Sequence, residues 1–257
     1  MDGAISKLDV FPHYDGGFVF SWEVFGGFNL RPPWVFHVEE APSPTGDWRD
    51  ISGPITDAFV FKEPHRRLIN KSAVLYFRVV LDADGKRFHS ATIQPYGDLG
   101  RKDFLVAREV MRKEVLHMRG MAGVACSLYS LATFGPPCPK CRDPITGDIR
   151  FSDCPACRGT GRLNPYNGPY DMWMSFSSDQ QHRHQDDGTG TMEQRVFQVR
   201  AVANPVIKKN DVIVDRGSDK RYYVNEAAVV AEVRRIPIVQ QLVVSEAPVS
   251  DNAYRLQ

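Results

Sequence analysis

Four cysteines lie within twenty residues of this chain, in the run CPKCRDPITGDIRFSDCPACRGTG. They form two Cys-x-x-Cys pairs, Cys138 with Cys141 and Cys154 with Cys157, separated by twelve residues. Such a pair on a tight turn directs both sulfurs at one point, and two such turns joined by a hairpin supply the tetrahedral thiolate shell that Zn²⁺ prefers. The sequence therefore predicts a zinc knuckle with these four cysteines as ligands. A redox pair or an iron–sulfur cluster stays open as an alternative.

The predicted zinc ion has a structural role. A catalytic zinc ion keeps one coordination position open for water, whereas four thiolates fill the tetrahedral shell. The chain also lacks the His-Glu-x-x-His, Gly-x-Ser-x-Gly and phosphate-loop motifs that identify common classes of enzyme. We therefore expect no catalytic residues, no cofactor besides structural Zn²⁺, and a protein that is not an enzyme.

The charge balance argues against a protein built to bind nucleic acid. Lysine and arginine number 32, and aspartate and glutamate number 31, so no net positive charge attracts a polyanion. Within the knuckle, five cations are offset by three aspartates, and four thiolates with one zinc ion bring the sum to about zero. The sequence predicts at most weak, non-specific contact with DNA. The five cations are Lys140, Arg142, Arg150, Arg158 and Arg162.

The chain shows no sequence feature that would send it to a membrane. The N-terminal run MDGAISKLDVFPHYDGG has neither the positive start nor the apolar core of a secretory signal, and no eighteen apolar residues follow one another. We therefore expect a soluble protein made in a reducing cytosol. In that compartment paired cysteines bind metals sooner than they form disulfides.

Residues 1–96 are predicted to form a β-sandwich. A chain of 257 residues with 42% hydrophobic composition is long enough for two or three folded domains. Trp22 lies in an early strand, Tyr76–Val79 lies in a late strand, and a turn follows at Asp82–Lys86. The order of these strands resembles a fibronectin type III domain. This resemblance implies a spacer or adhesive module. Three runs alternate apolar and polar residues as strands do: Phe18–Val24, Trp34–Glu39 and Val74–Leu81.

Residues 97–135 are predicted to form a helical connector. From Asp98 the apolar residues recur at steps of three and four, which indicates an amphipathic helix that ends near Gly120. The segment 121–134 is rich in small residues and is expected to be weakly helical, with Cys126 as a small buried hydrophobe. Either that segment or a neighbouring subunit must cover the apolar face of the helix. This face comprises Phe104, Ala107, Met111, Val115 and Met118.

Residues 166–257 are predicted to form a small antiparallel β-barrel, after the knuckle at 136–165. Five or six short runs have the pattern of strands, and Arg216–Asp219 has the composition of a hairpin turn. Asp211 and Asp215 flank this hairpin. Solvation at the strand ends is their expected role, and an acid pair is the alternative.

A polar stretch interrupts the predicted barrel at 177–191. It ends in glycines, so we expect a solvated loop in which His182 and His184 are not held as metal ligands. Ordering of this loop on assembly is the alternative.

The second half of the knuckle resembles a unit of another protein family. Cys154–Gly161 matches the C-x-x-C-x-G-x-G repeat of DnaJ-type co-chaperones, but Arg142 and the residues after it stand where that repeat has glycines. The His-Pro-Asp signature of a J-domain is also missing. A co-chaperone is therefore not expected, and Gly159 and Gly161 are interpreted as residues of the tight turn behind a cysteine pair.

The C-terminal pattern resembles the small β-barrel proteins of the neck of tailed bacteriophages. The strings that carry it are Lys209–Asp215, Asp219–Val224 and Leu242–Glu246. The resemblance implies a structural virion protein that forms a head-closure ring between head and tail. Its implied partners are copies of itself, the portal or its adaptor, and tail proteins. It implies assembly in the host cytoplasm and a final position in the neck or tail of the virion.

Two other functions stay open. A baseplate or tail-tip protein is one, because fibronectin-like modules also occur at those positions. A zinc-dependent nucleic-acid or chaperone-like binding protein is the other. Its binding surfaces would be the knuckle and the predicted helix from Asp98, which carries Arg108, Arg112 and Lys113. An image of the particle distinguishes the first alternative, and salt-sensitive DNA binding would favour the second.

Overall fold

The structure, a computed structural model, is mainly β and divides into two compact units. It describes residues 4–13, 17–25, 30, 33–56, 58–64, 75–94, 101–132, 135–143, 145–151, 154–163, 165–177, 181–186, 191–234 and 236–256. Within these ranges the chain forms fifteen β-strands and one α-helix, which confirms the predicted mainly β class. One unit combines Met1–Phe104 with Ala132–Asn167, and the other combines Leu105–Leu131 with Gly168–Gln257.

The first unit contains two antiparallel sheets. Their strands are β1 (Ile5–Pro12), β2 (Phe18–Val24), β3 (Val35–Ala41), β4 (Arg49–Asp50), β5 (Ile55–Thr56), β6 (Val60–Lys62), β7 (Tyr76–Ala83) and β8 (Lys86–His89). One sheet has the order β1-β2-β6, and the other has the order β4-β3-β7-β8 with β5 paired to β3. Each sheet therefore joins strands that are distant in sequence.

Aromatic side chains from both sheets form the core of this unit. The ring centroids of Phe18 and Phe20 in β2 lie 5.4 and 5.0 Å from that of Phe77 in β7. Trp22 of β2 and Phe36 of β3 meet in the same way at 5.3 Å. All five residues are buried. Two antiparallel sheets that pack face to face through such a core form a β-sandwich.

The second unit contains a closed six-stranded antiparallel β-barrel. Its elements are α1 (Arg101–His117, which begins in the first unit), a π-helical turn (Met118–Ala122), β9 (Val124–Leu131), β10 (Tyr166–Phe176), β11 (Gln181–Asp186), β12 (Thr191–Val202), β13 (Val212–Asp215), β14 (Arg221–Val233), β15 (Ile236–Glu246) and a short 3₁₀ helix (Asn252–Arg255). The strand order is β10-β9-β13-β14-β15-β12, and β12 pairs with β10 to close the barrel. Strand β11 pairs with β12 outside this closed set. The small barrel predicted for the C-terminal region is therefore present.

The barrel also includes a strand that the sequence analysis did not predict. The segment 121–134 is expected to be weakly helical, but Val124–Leu131 is strand β9 and pairs with β13. Cys126 and Leu128 alternate with less buried neighbours and lie in the barrel core. The prediction of a helical connector over 97–135 is therefore wrong in its second half, because pairing with a distant strand outweighs weak helix propensity. The predicted burial of Cys126 is confirmed.

Helix α1 packs on the barrel through part of its predicted apolar face. The side-chain amide of Asn204, which follows β12, lies 3.9 Å from the sulfur of Met111. The barrel of the same chain therefore covers this part of the face. The buried residues of the apolar face are Ala107, Met111 and Met118.

Among the described residues, no helix combines the length and the apolar character needed to cross a bilayer.

A hairpin occupies part of the stretch predicted as a solvated loop. Strand β11 pairs antiparallel with residues 191–196 of β12, with His182 opposite Arg195. The expectation of a loop over 177–191 is therefore wrong for residues 181–186, because backbone pairing with β12 forms a strand without burial of apolar residues. The side chains of His182 and His184 lie outside the described part of the structure, as do residues 178–180 and 187–190.

Asp211 is a buried brace of the barrel rather than a solvated strand end. Its carboxylate accepts hydrogen bonds from the backbone N–H groups of Leu131 and Lys208, both at 2.8 Å, and from Ser130 Oγ at 3.2 Å. The side chain is fully buried, and burial raises its pKa to about 6 against the opposing effect of these hydrogen bonds. Asp211 thus ties β9 to the residues before β13. Asp215 has a different role and accepts hydrogen bonds within the turn that follows β13.

Candidate metal centre

Two short turns place the four cysteines. In the first turn, the N–H of Arg142 donates to the carbonyl of Cys138 at 3.2 Å. In the second, the N–H of Arg158 donates to the carbonyl of Cys154 at 2.6 Å. Each Cys-x-x-Cys pair is therefore closed by its own backbone hydrogen bond, as the spacing predicts.

Backbone pairing joins the two turns into one knuckle. The N–H of Cys138 donates to the carbonyl of Gly161 at 2.9 Å, and Pro137 and Arg162 form an antiparallel bridge. The N–H of Leu163 donates to the carbonyl of Pro136 at 3.0 Å. The two ends of the knuckle therefore lie side by side, and this arrangement brings the second cysteine pair against the first.

The four sulfurs meet at one point. All four Sγ atoms lie within 4.8 Å of one another, and all four residues are buried. The Sγ atoms of Cys138 and Cys154 are 3.9 Å apart, and those of Cys141 and Cys157 are 3.0 Å apart, without a disulfide. Zn–S bonds of about 2.3 Å give a tetrahedral site S···S edges of about 3.8 Å. The first pair already has this spacing, and the second would open by less than about 1 Å. The donor set thus fits a four-coordinate metal ion.

Hydrogen bonds to the sulfurs change their proton affinity. The backbone N–H groups of Cys157 and Ala156 donate to the Cys154 sulfur and lower the pKa of this thiol to about 7. The hydrogen bond between the thiols of Cys141 and Cys157, together with burial, raises the pKa of Cys141. A metal ion that binds all four thiolates must displace protons, so its affinity should increase with pH.

Two glycines behind the second pair have backbone conformations that other residues disfavour. The φ angles of Gly159 and Gly161 are 79° and 72°. A Cβ atom on Gly161 would lie 2.9 Å from Cγ1 of Ile149 in the facing hairpin. These positions confirm the interpretation of the Gly-x-Gly sequence as part of a tight turn.

An aspartate braces the hairpin between the two pairs. Asp143 Oδ1 accepts hydrogen bonds from the N–H groups of Ile145 at 2.8 Å and Thr146 at 3.2 Å, and Oδ2 forms an ion pair with Arg150. The Arg150 guanidinium, with these N–H groups, lowers the pKa of Asp143 to about 2. This brace was not predicted from the sequence. Its signal is the Asp-Pro-x-x-Gly spacing, in which an aspartate bonds its own backbone two residues on.

The braced hairpin holds apolar side chains in solvent. Ile145 is 93% exposed, Phe151 is 55% exposed and Ile149 is 47% exposed. Apart from the cysteines, two partly buried hydrophobic side chains pack into the cluster of the knuckle. The shape of this element therefore depends on its turns, its brace and the ion that the sulfurs would hold, rather than on an apolar core.

The cluster can hold a metal ion in a closed ligand shell. Four thiolates around one tetrahedral ion leave no ligand site for water or substrate. Among the residues whose positions are described, these cysteines are the only group of three or more potential metal ligands. The arrangement suits a structural site. Cysteine tetrads hold iron as well as zinc, so the donor set defines the site and not the metal.

The fifth cysteine takes no part in the site. Cys126 is fully buried in the barrel core of the second unit, whereas the four clustered cysteines belong to the first. Burial raises the pKa of Cys126 to about 12. A thiol in this state is inert, as the sequence analysis expected.

No model of a known protein family matches this chain, and no curated protein matches it.

Proposed function

We propose that this chain is a structural virion protein of a tailed bacteriophage, and that it forms a ring in the neck between the portal or its adaptor and the tail. The observation that carries the proposal is the closed four-thiol cluster beneath a hairpin with exposed apolar side chains. A closed metal shell offers no vacancy for chemistry, and exposed apolar clusters are typical of interaction surfaces. The partners in this proposal are further copies of the chain, the portal or adaptor, and tail proteins.

The metal in this proposal is Zn²⁺ with a structural role. Four cysteine ligands in a tetrahedral arrangement are typical of structural zinc sites. Cys154 is already biased towards the thiolate by two backbone N–H donors. Because the knuckle has so few buried apolar side chains, the ion replaces a core and contributes on the order of 10 kcal/mol to folding.

The closed barrel supports the neck assignment. The three strings that resemble neck proteins fall on β13, β14 and β15, which are neighbours in the barrel wall. Two successive hairpins join these strands, in agreement with the pattern of the resemblance. A closed barrel is a rigid body that can repeat around a symmetry axis.

The first unit supports a second candidate position, the baseplate or tail tip. Its sheets pair β2 with β6 and β3 with β7, so the chain crosses from one sheet to the other between β2 and β3, as it does in immunoglobulin-like sandwiches. In our proposal this sandwich is fibronectin type III-like. Such modules occur at either position, so only the location of the protein in the particle distinguishes them.

A zinc-dependent binder of nucleic acid, or a chaperone-like binder, is the alternative from another class. Lys140, Arg142 and Arg150 are exposed on the knuckle, but Asp148 is exposed as well and Arg150 is paired with Asp143. The local excess of positive charge is therefore small, and DNA contact in this proposal is weak and non-specific. DNA binding by the purified protein that falls steeply with salt concentration would favour this alternative.

Electron microscopy of the purified protein and of virus particles tests the neck proposal. The expected result is a closed ring at the head–tail junction, with one zinc ion per chain by metal analysis. Chelation should abolish the rings, because the knuckle then loses its shape. Cys154→Ser should lose the metal, whereas Cys126→Ala, which changes the buried cysteine of the other unit, should retain it. A chain that is monomeric at every concentration, or that assembles fully after chelation, would contradict the proposal.

A further inference from the structure

The second half of strand β14 is exposed although the strand belongs to the barrel. The seven consecutive residues 226–232 are all exposed, whereas Arg221, Tyr222 and Val224 in the first half are buried. Strand β13 pairs with β14 only at residues 221–223, and beyond that point the described pairing of β14 is with β15. This half of β14 therefore presents side chains and one strand edge to solvent.

The exposed half of β14 is apolar in its centre and acidic at its ends. We call these seven residues the β14 patch: three alanines with Val229 and Val230 between Glu226 and Glu232. Val229 and Val230 are 39% and 53% exposed. No lysine or arginine occurs between Arg221 and Arg234. Natural proteins usually protect such a strand with charge or cover it with another element.

The hairpin of the knuckle also exposes apolar side chains, but the charged residues around them are basic rather than acidic. We call Ile145, Ile149 and Phe151, with the exposed cations Lys140 and Arg142, the knuckle patch. Arg150 is also exposed on this hairpin, and Asp148 is its single exposed carboxylate among the described residues. The knuckle patch is therefore apolar with a basic surround, which is complementary in charge to the β14 patch.

A third exposed apolar group lies on helix α1 and the π-helical turn. Leu116 is 53% exposed and Met121 is 82% exposed, and the exposed residues Lys113 and Arg119 lie close to them in the sequence. This group is basic, as the knuckle patch is. Contact between the helix and the knuckle would place like charges together, whereas the β14 patch attracts cations.

We propose that the knuckle patch of one copy docks on the β14 patch of a second copy. The proposal rests on the assembly of copies proposed above and adds the two surfaces that meet. The patches belong to different units of the chain, so each copy gives one contact and receives another. Such a head-to-tail contact can close into a ring. The alanines leave room beside the strand for the protruding side chains of Ile145 and Phe151.

Charge reversal on each side tests this contact in the full-length, metal-loaded protein. One variant carries Glu226→Lys and Glu232→Lys, and the other carries Lys140→Glu and Arg142→Glu. Each variant alone should assemble with a dissociation constant raised by at least about tenfold, because like charges then face each other. In an equimolar mixture the two variants should associate with each other in alternation, since every contact between unlike copies again joins opposite charges. Sedimentation velocity measures both, and metal content shows that each variant keeps its knuckle.

The helix supplies a matched control. Lys113→Glu with Arg119→Glu should leave assembly unchanged and should not rescue the β14 variant. Rescue by this helix variant, and not by the knuckle variant, would overturn the proposal in favour of the helix. Normal assembly of both reversed variants would overturn the contact while leaving the ring in place. A wild-type chain that never assembles would contradict the contact and the proposed function together.

Discussion

Asp211 links the stability of the barrel to pH. Its buried carboxylate has a pKa of about 6, whereas an aspartate in an unfolded chain titrates near about 3.9. Because the pKa is higher in the folded state, the folded protein binds this proton more tightly than the unfolded chain does. Ionisation of Asp211 therefore lowers stability as the pH rises from about 4 to about 6. Its three hydrogen bonds reduce this loss without cancelling it.

Replacing this side chain by Asp211→Asn should remove that pH dependence. Between pH 7 and pH 4 the wild type should gain about 2 to 3 kcal/mol in free energy of unfolding relative to the variant. Urea unfolding of both proteins across this range measures the difference. Ser130→Ala removes one hydrogen-bond donor to the ionised carboxylate. It should raise the pKa of Asp211 further, so the loss of stability should extend to higher pH. If the two proteins differed in free energy of unfolding by the same amount at pH 4 and pH 7, the pKa of Asp211 would not be raised in the folded protein.

The sequence does not reveal the role of Asp211, because two of its three hydrogen-bond partners are remote in the chain. Ser130 and Leu131 lie at the end of β9, about eighty residues earlier in the chain. An aspartate beside a turn usually faces water. Only the pairing of β9 with β13 turns this position inward, and that pairing is itself absent from the sequence prediction.

At the scale of the element, the knuckle depends on Gly161. Gly161→Ala should cost about 1–2 kcal/mol in backbone strain at its positive φ, in addition to the contact with Ile149. In the proposed zinc site metal binding is coupled to folding, so the affinity for zinc should fall by about tenfold or more. Competition with a chromophoric chelator measures this affinity.

Two further variants separate the causes of that effect. The double variant Gly161→Ala with Ile149→Ala should recover the part that is due to the steric contact. Gly53 has a φ of 67°, and a Cβ added there would have no atom within 4 Å. Gly53→Ala should therefore lower the free energy of unfolding of the sandwich by the cost of backbone strain alone. Unchanged zinc affinity of Gly161→Ala would mean that the turn is not needed for binding.

Elements differ in how far the sequence reveals them. The spacing of four cysteines defines the knuckle because its chemistry is local, and the structure brings the same four sulfurs together. Alternation in β2 and β3 likewise predicts strands with one buried face. In contrast, the strand Val124–Leu131 has small residues that suit a helix or a strand equally, and its partner β13 decides between them. The strand β11 is hidden for a similar reason, because its pairing depends on backbone hydrogen bonds rather than on apolar residues.

At the scale of the molecule, two compact units predict two unfolding transitions. Leu128 is fully buried in the barrel and Phe36 in the sandwich. Leu128→Ala should cost about 2–5 kcal/mol and lower only the barrel transition, and Phe36→Ala should cost about 3–5 kcal/mol and lower only the other. Chelation should affect the same transition as Phe36→Ala, because the knuckle belongs to that unit. Calorimetry that shows a single transition, lowered by both variants, would mean that the units unfold together.

The chain enters the second unit, leaves it and returns. Residues 105–131 supply most of α1 and all of β9, the chain then builds the knuckle in the first unit, and it comes back with β10. On the ribosome, β9 must therefore wait for both of its neighbours, β10 and β13, which are synthesised after the knuckle. A nascent chain in this state exposes an apolar strand that invites aggregation. We expect cells starved of metal during translation to accumulate insoluble protein, because a knuckle without its ion would delay the pairing of β9 with β10.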